Sequence, residues 1–351
     1  MSDRPGFREP DTNEDDDLAY LDAGLNEVDS SRASQPDPIA TSPHRQEAAT
    51  TPSIVVTSPL VRERNWTWPL INFGGLLIVI ALGFLANALE FNGQTTGDVL
   101  RAEATPYQPE AWVFAIWVVI YAMLLAFTIY GLLPAVRRNV RLQRISPLFL
   151  IANIANVTWL VLWHYERFLA SLIAILILLG ALLGIYIGLR ITNPLRRSAA
   201  AEKPGWFWRL VMWAPFSVYL GWTCVAALAN LMIWMDHSGW DGGPFSNNVW
   251  AVILIVAGTL IAAVFVFTAK DVLIPIVFAV AFVGIAHHNW REAALVSVVA
   301  IVFAVFCVGL AGVGSVIAFD RNADRGFFGR GPTAISSTSE TRVDDSPPKR
   351  A

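Results

Sequence analysis

The stretch APFSVYLGWTCVAALANLMIW, residues 214–234, carries no charged side chain. Wound as a helix it would rise about 31 Å, against about 30 Å for the hydrocarbon core of a bilayer. It is nevertheless not uniformly apolar. Trp222, Ala226, Asn230 and Trp234 follow one another at i+4 steps, a gently drifting stripe along one side of such a helix. A bare amide in lipid is costly unless it faces protein, water or a ligand, so this span reads as part of a bundle with something to bind.

Working outward, long apolar runs alternate with short polar breaks from Trp66 to Phe319. Eight are candidates to cross a membrane: 68–89, 111–133, 146–163, 168–189, 209–235, 247–269, 272–288 and 293–316. The seventh is the weakest, being short and holding Pro275. No strand-like alternation is sustained, and in lipid helices satisfy every backbone group within their own segment. The expected fold is an all-α integral membrane protein with an eight-helix transmembrane bundle. Composition agrees, since 55% of the 351 residues are hydrophobic and 15% charged, where soluble domains carry about 25% charged residues. The net charge of -3 argues against nucleic acid as a partner. Two cysteines, Cys224 and Cys307, exclude a disulfide scaffold or a cysteine-based zinc cluster.

Residues 1–60 hold 12 of the 28 acidic residues and only four basic ones. With their Pro, Ser and Thr they read as a disordered acidic tail (1–65), neither signal peptide nor mitochondrial presequence. The polar stretch 320–351 reads the same way. Basic residues gather in alternate breaks: Arg137, Arg138, Arg141 and Arg144 in one, Arg190, Arg196, Arg197 and Lys203 in another. The positive-inside rule then places both termini in the cytoplasm, and all eight crossings agree with it. The plasma membrane is the expected location, and lipid the first partner.

Loop 90–110 falls outside and is the longest external connection, suited to be a lid over a cavity. Beneath it, Trp112, Trp117 and Tyr121 open span two, while Asn156, Trp159 and Trp163 share a face of span three. Flat rings with a few amides suit a large planar apolar ligand, which stacks on the rings and is oriented by the amides. His287 and His288 read as interfacial histidines at a helix end, and Lys270 with Asp271 as an interfacial pair. No nucleotide-binding, zincin or nucleophile-elbow motif is present in the sequence, so the chain is not read as an enzyme.

Pro109, Trp112-Val113-Phe114, Trp117 and Tyr121 resemble the second-helix signature P-x-x-W-V-F-x-x-x-W of the tryptophan-rich sensory protein family, which includes the translocator protein. Trp117 falls one position earlier than in an ungapped match. Asn156-x-x-Trp159 is similar to the third-helix N-x-x-W. Tyr219-Leu220-x-Trp222 with Ala226, Asn230, Ile233 and Trp234 is similar to the fifth-helix pattern P-Y-L-x-W-x-x-x-A-x-x-x-N-x-x-I-W, with Val218 in place of its Pro. The resemblance covers about residues 68–235. It implies a five-helix domain (66–235) followed by three additional helices (236–319), and a cavity under the first external loop. It also implies a sensor or receptor that binds a tetrapyrrole, porphyrin or haem, as ligand and requires no cofactor. Trp112 and Trp117 would form the rim, with Tyr121 beside them. Trp159, Trp222 and Trp234 would be the walls, and Asn156 and Asn230 the polar contacts. A small-molecule transporter built on the eight-helix bundle and a scaffold recruiting a partner through the acidic tail are the alternatives. A homodimer could use the small pair Ala311 and Ser315 of the last span.

Overall fold

A computed structural model describes residues 66–327, except Ala104, Ala135, Arg137, Arg138, 191–204 and Asp241, with side chains as far as Ala318. The expectations for residues 1–65 and 328–351, and for most of the arginines that set the orientation, fall outside these residues; residues 320–327, expected to belong to a disordered tail, instead continue the last helix. Among the described residues every regular element is a helix, without strands. Helices α1 (Thr67–Ala88), α2 (Thr96–Glu103), α3 (Ile116–Leu132), α4 (Val140–His164) and α5 (Phe168–Arg190) come first. Then follow α6 (Trp206–Met212), α7 (Ala214–His237), α8 (Asn247–Ala269), α9 (Leu273–His288) and α10 (Ala294–Phe327). A 3-10 turn, Ala111–Ala115, leads directly into α3.

Among the described residues seven helical segments are long and apolar enough to span a bilayer, and α9 is a shorter apolar helix. At 16 residues α9 rises only about 24 Å. Its Pro275 lies in the first turn, where no intrahelical donor is lost. Asp271 supplies the missing acceptor there, its Oδ1 receiving the amides of Leu273 (2.9 Å) and Ile274 (3.2 Å). The sequence breaks the chain in the expected places.

Trp206–His237, α6 with α7, is the central element. Of its apolar window 78% is buried, against 22–50% for the other spans. Gly221 lets α9 come close, since a Cβ there would stand 3.3 Å from that of Val277 and 3.4 Å from the Cα of Ile274. Phe216, Phe149 and Phe127 form an edge-to-face cluster joining α7, α4 and α3. The outward residues, such as Val118, Ile154, Val298 and Val305, are apolar and exposed, as a lipid-facing surface requires.

The connections meet alternately at two ends. At one end Asn92 and Gln94 of the α1–α2 loop donate to the carbonyl of His164 (3.0 and 2.9 Å). Asn289 after α9 donates to the carbonyl of Pro106 (2.8 Å), and Glu103 stands 3.5 Å from His237 at the end of α7. At the other end Arg190 donates to the carbonyl of Ala269 (2.8 Å) and pairs with Asp271. This is the up-and-down order that eight alternating segments require. It also corrects one expectation. Asp271 is buried and paired with Arg190, 81 residues away in sequence, while Lys270 turns to the carbonyl of Phe267. Tyr186 (2.9 Å) and Ser217 (2.6 Å) donate to the same carboxylate oxygen.

Candidate functional site

The loop after α1 is a built element. Asn92 and Glu90 take left-handed backbone, turning the chain back over the bundle. Asp98 Oδ2 accepts from the Thr95 amide (2.8 Å) and hydroxyl (2.7 Å), which starts α2. These bonds to Thr95, with the Arg101 guanidinium beside it, lower the Asp98 carboxyl to about 2. Glu103, at the end of α2, is pushed upward by burial. Beyond α2 the chain dives inward, and the buried Tyr107 plugs the bundle; burial raises its phenol above the ordinary range. The segment is then pinned to α9, with the Glu110 amide on the Gly284 carbonyl (3.2 Å). Only glycine fits there: a Cβ at position 284 would stand 2.3 Å from Val113 Cγ2.

Beneath this loop lies a cavity of about 430 Å³. Gly83 and Asn87 of α1, and Thr96, Gly97, Leu100 and Arg101 of α2, line one side. Gln108, Glu110, Ala111 and Phe114 close the mouth with His288 of α9. Trp117 and Tyr121 of α3, with Asn156, Trp159 and Leu160 of α4, form the inner wall. Trp117 and Trp159 are stacked, centroids 6.1 Å apart and planes 26° from parallel, and Tyr121 lies 5.4 Å from Trp117. Behind them Tyr219 and Trp222 of α7 meet Trp117 edge-on.

The amides fix these rings. Asn156 donates to the Tyr219 hydroxyl (2.6 Å). Trp159 Nε1 (3.2 Å) and Ser171 Oγ (3.0 Å) both donate to Asn230 Oδ1, whose own amide donates to the Ala226 carbonyl (2.8 Å). Asn230 is thereby committed to holding Trp159.

Of the eight residues singled out from sequence, Trp117, Tyr121, Asn156 and Trp159 line the cavity. Trp222 and Asn230 are buried one layer behind them. Trp112 is half exposed and outside the lining, although its neighbours Ala111 and Phe114 belong to it. Trp234 faces elsewhere, onto a second, open groove of about 370 Å³ between α5 and α7 with Arg167, Phe168, Ile173 and His237. Sequence reading did not anticipate Asn87, Arg101, Gln108, Glu110 and His288 in the lining. It also passed over Asn72 and Asn153, buried amides on α1 and α4; Asn72 donates to Ser146 (3.0 Å). An amide inside an apolar run, the signal that picked out Asn156, was available for both. Among the described residues no three His, Cys, Asp or Glu side chains are grouped to hold a metal ion.

No curated protein and no solved structure matches the chain. A family model described as TSPO-like protein matches residues 69–313, and so runs past the five helices that carry the motifs into α8, α9 and α10. With most of its length inside that match, this multi-pass integral membrane protein belongs to the TSPO-like protein family.

Proposed function

We propose that the chain is a receptor-like or sensor-like protein that binds a planar, largely apolar molecule in the cavity beneath the α1–α3 loop. One observation carries this reading: the stacked Trp117–Trp159 pair, with Tyr121, presents an aromatic wall to a cavity of about 430 Å³. Small-molecule pockets commonly measure about 300–1,000 Å³ and combine apolar walls with a few polar groups. A ring system laid along that wall gains offset-stacking contacts, and the hydrogen bond from Trp159 to Asn230 keeps that indole in place without reorganisation. A tetrapyrrole such as a porphyrin or haem is the candidate that family membership favours. His288 is the one imidazole in the lining. The site reads as a binding site and not a catalytic one. The loop end of the bundle is read as external and both termini as cytoplasmic, on the distribution of arginines.

The test is a titration of the detergent-purified protein with protoporphyrin and with haem, followed by tryptophan fluorescence. Empty micelles and a Trp117→Leu/Asn156→Leu variant serve as controls. Saturable quenching that disappears in the variant is expected. Linear quenching, or the same curve in both proteins, would refute the proposal.

A further inference from the structure

We infer that, among flat aromatic molecules that fit the cavity, it prefers those that carry a cationic or amine group. The inference rests on the cavity reading above and adds the sign of the charge. Three observations support it.

The first is the charge balance at the mouth. Two ionic side chains line it, Arg101 and Glu110. Arg101 is already neutralised by Asp98 one turn before it, and its side chain is 62% exposed, so it looks toward water. Glu110 has no such partner. Its Oε2 accepts only the amide of Ala111 (3.1 Å), and the nearest basic atom, His288 Nδ1, stands 3.8 Å from Oε1, beyond hydrogen-bond reach. The uncompensated charge on the lining is therefore negative.

The second is a missing polar partner. The Tyr121 hydroxyl, on the inner wall, has no hydrogen-bond partner among the described residues, and as a phenol it can accept as well as donate.

The third is the wall itself. Trp117, Trp159, Tyr121 and Phe114 turn aromatic groups to the same space. The faces of such rings are negative and attract organic cations, most strongly for Trp and where water is excluded. An acidic group at the mouth and an aromatic wall that carries the Tyr121 hydroxyl together recognise a cation on a flat body. A molecule whose only charges are carboxylates meets Glu110 repulsively and must direct them toward Arg101 and water.

Two tricyclic probes of equal size decide the matter: an aminoacridine, protonated at neutral pH, and an anthracene carboxylate. Each is titrated against the full chain in a non-ionic detergent, with empty micelles subtracted. The aminoacridine is expected to bind on the order of tenfold more tightly. Glu110→Gln, which keeps the size and the backbone bond to Gly284, should remove that preference by weakening the cation and relieving the carboxylate. Trp117→Leu should weaken both probes. Equal affinity for the two probes, both lost in Trp117→Leu, would overturn the charge inference and leave the cavity reading standing. So would an undiminished preference in a folded Glu110→Gln protein. Failure of both probes to saturate would overturn both.

Discussion

Removing Arg190 should damage the bundle more than removing the charge of its partner. The Asp271 side chain is 2% exposed and that of Arg190 is 24% exposed. In Arg190→Gln the carboxylate keeps Tyr186, Ser217 and the two first-turn amides of α9, yet stays charged, buried and without its countercharge. Breaking a buried pair in this way costs about 3–5 kcal/mol. In Asp271→Asn the guanidinium can turn toward solvent, and the Asn oxygen can still receive the α9 amides. The Asn nitrogen then stands where Arg190, Tyr186 and Ser217 donate; the two hydroxyls can turn to accept from it, so the net loss is the charge-assisted bond from Arg190, about 1.5–3 kcal/mol. Cys224 and Cys307 supply the assay, both being free and buried. Their reaction with a fluorogenic maleimide at fixed temperature reports the open fraction when closing outpaces labelling. At about 1.4 kcal/mol per tenfold, Arg190→Gln should label on the order of a hundredfold or more faster than wild type. Asp271→Asn should label on the order of ten- to a hundredfold faster. An Arg190→Leu/Asp271→Leu protein should be slower to label than Arg190→Leu alone, because no charge is stranded. Equal labelling of Arg190→Gln and Asp271→Asn, or strict additivity in the double variant, would refute the reasoning.

Other outcomes follow from single contacts. Gly284→Ala should displace the loop at a cost of about 1–3 kcal/mol and weaken ligand binding, and adding Val113→Ala should restore both, measured by thermal stability and by titration. Trp159→Leu should lower protoporphyrin affinity on the order of tenfold through lost stacking. Trp234→Leu should leave it unchanged, since Trp234 lines the other groove. Asp98 has a folded pKa below its ordinary 3.8, so its support of α2 is complete above that value and fades as pH falls toward about 2. Hydrogen exchange at the Thr95 amide should therefore stay slow down to that range, and Asp98→Asn should expose the amide at neutral pH.

The spans were legible because lipid leaves the backbone so few options; only the short α9 departs from a full crossing length. The cavity was half legible. Trp117 with Tyr121, and Asn156 with Trp159, lie within one turn of each other, so a shared face survives any small error in register. The stripe in α7 does not. Steps of four residues drift by about 40° each, which puts Trp234 about 120° around the helix from Trp222. Trp222 accordingly backs the wall, and Trp234 leaves it for the second groove. Glu110 and His288 come together from positions far apart in sequence, and nothing periodic announces such a meeting. Asp271 was misread for a related reason: the adjacent Lys270 looked like its partner, while the fold delivers Arg190.

The central claim is that ligand occupies the cavity under the loop and not the groove between α5 and α7. In a Cys224→Ala/Cys307→Ala background, Ala111→Cys places a thiol on the cavity mouth and Ala170→Cys places one on the groove. Maleimide labelling is then timed with and without protoporphyrin. Labelling is expected to slow at position 111 and to keep its rate at position 170. Protection at position 170 alone, or at neither, would contradict it.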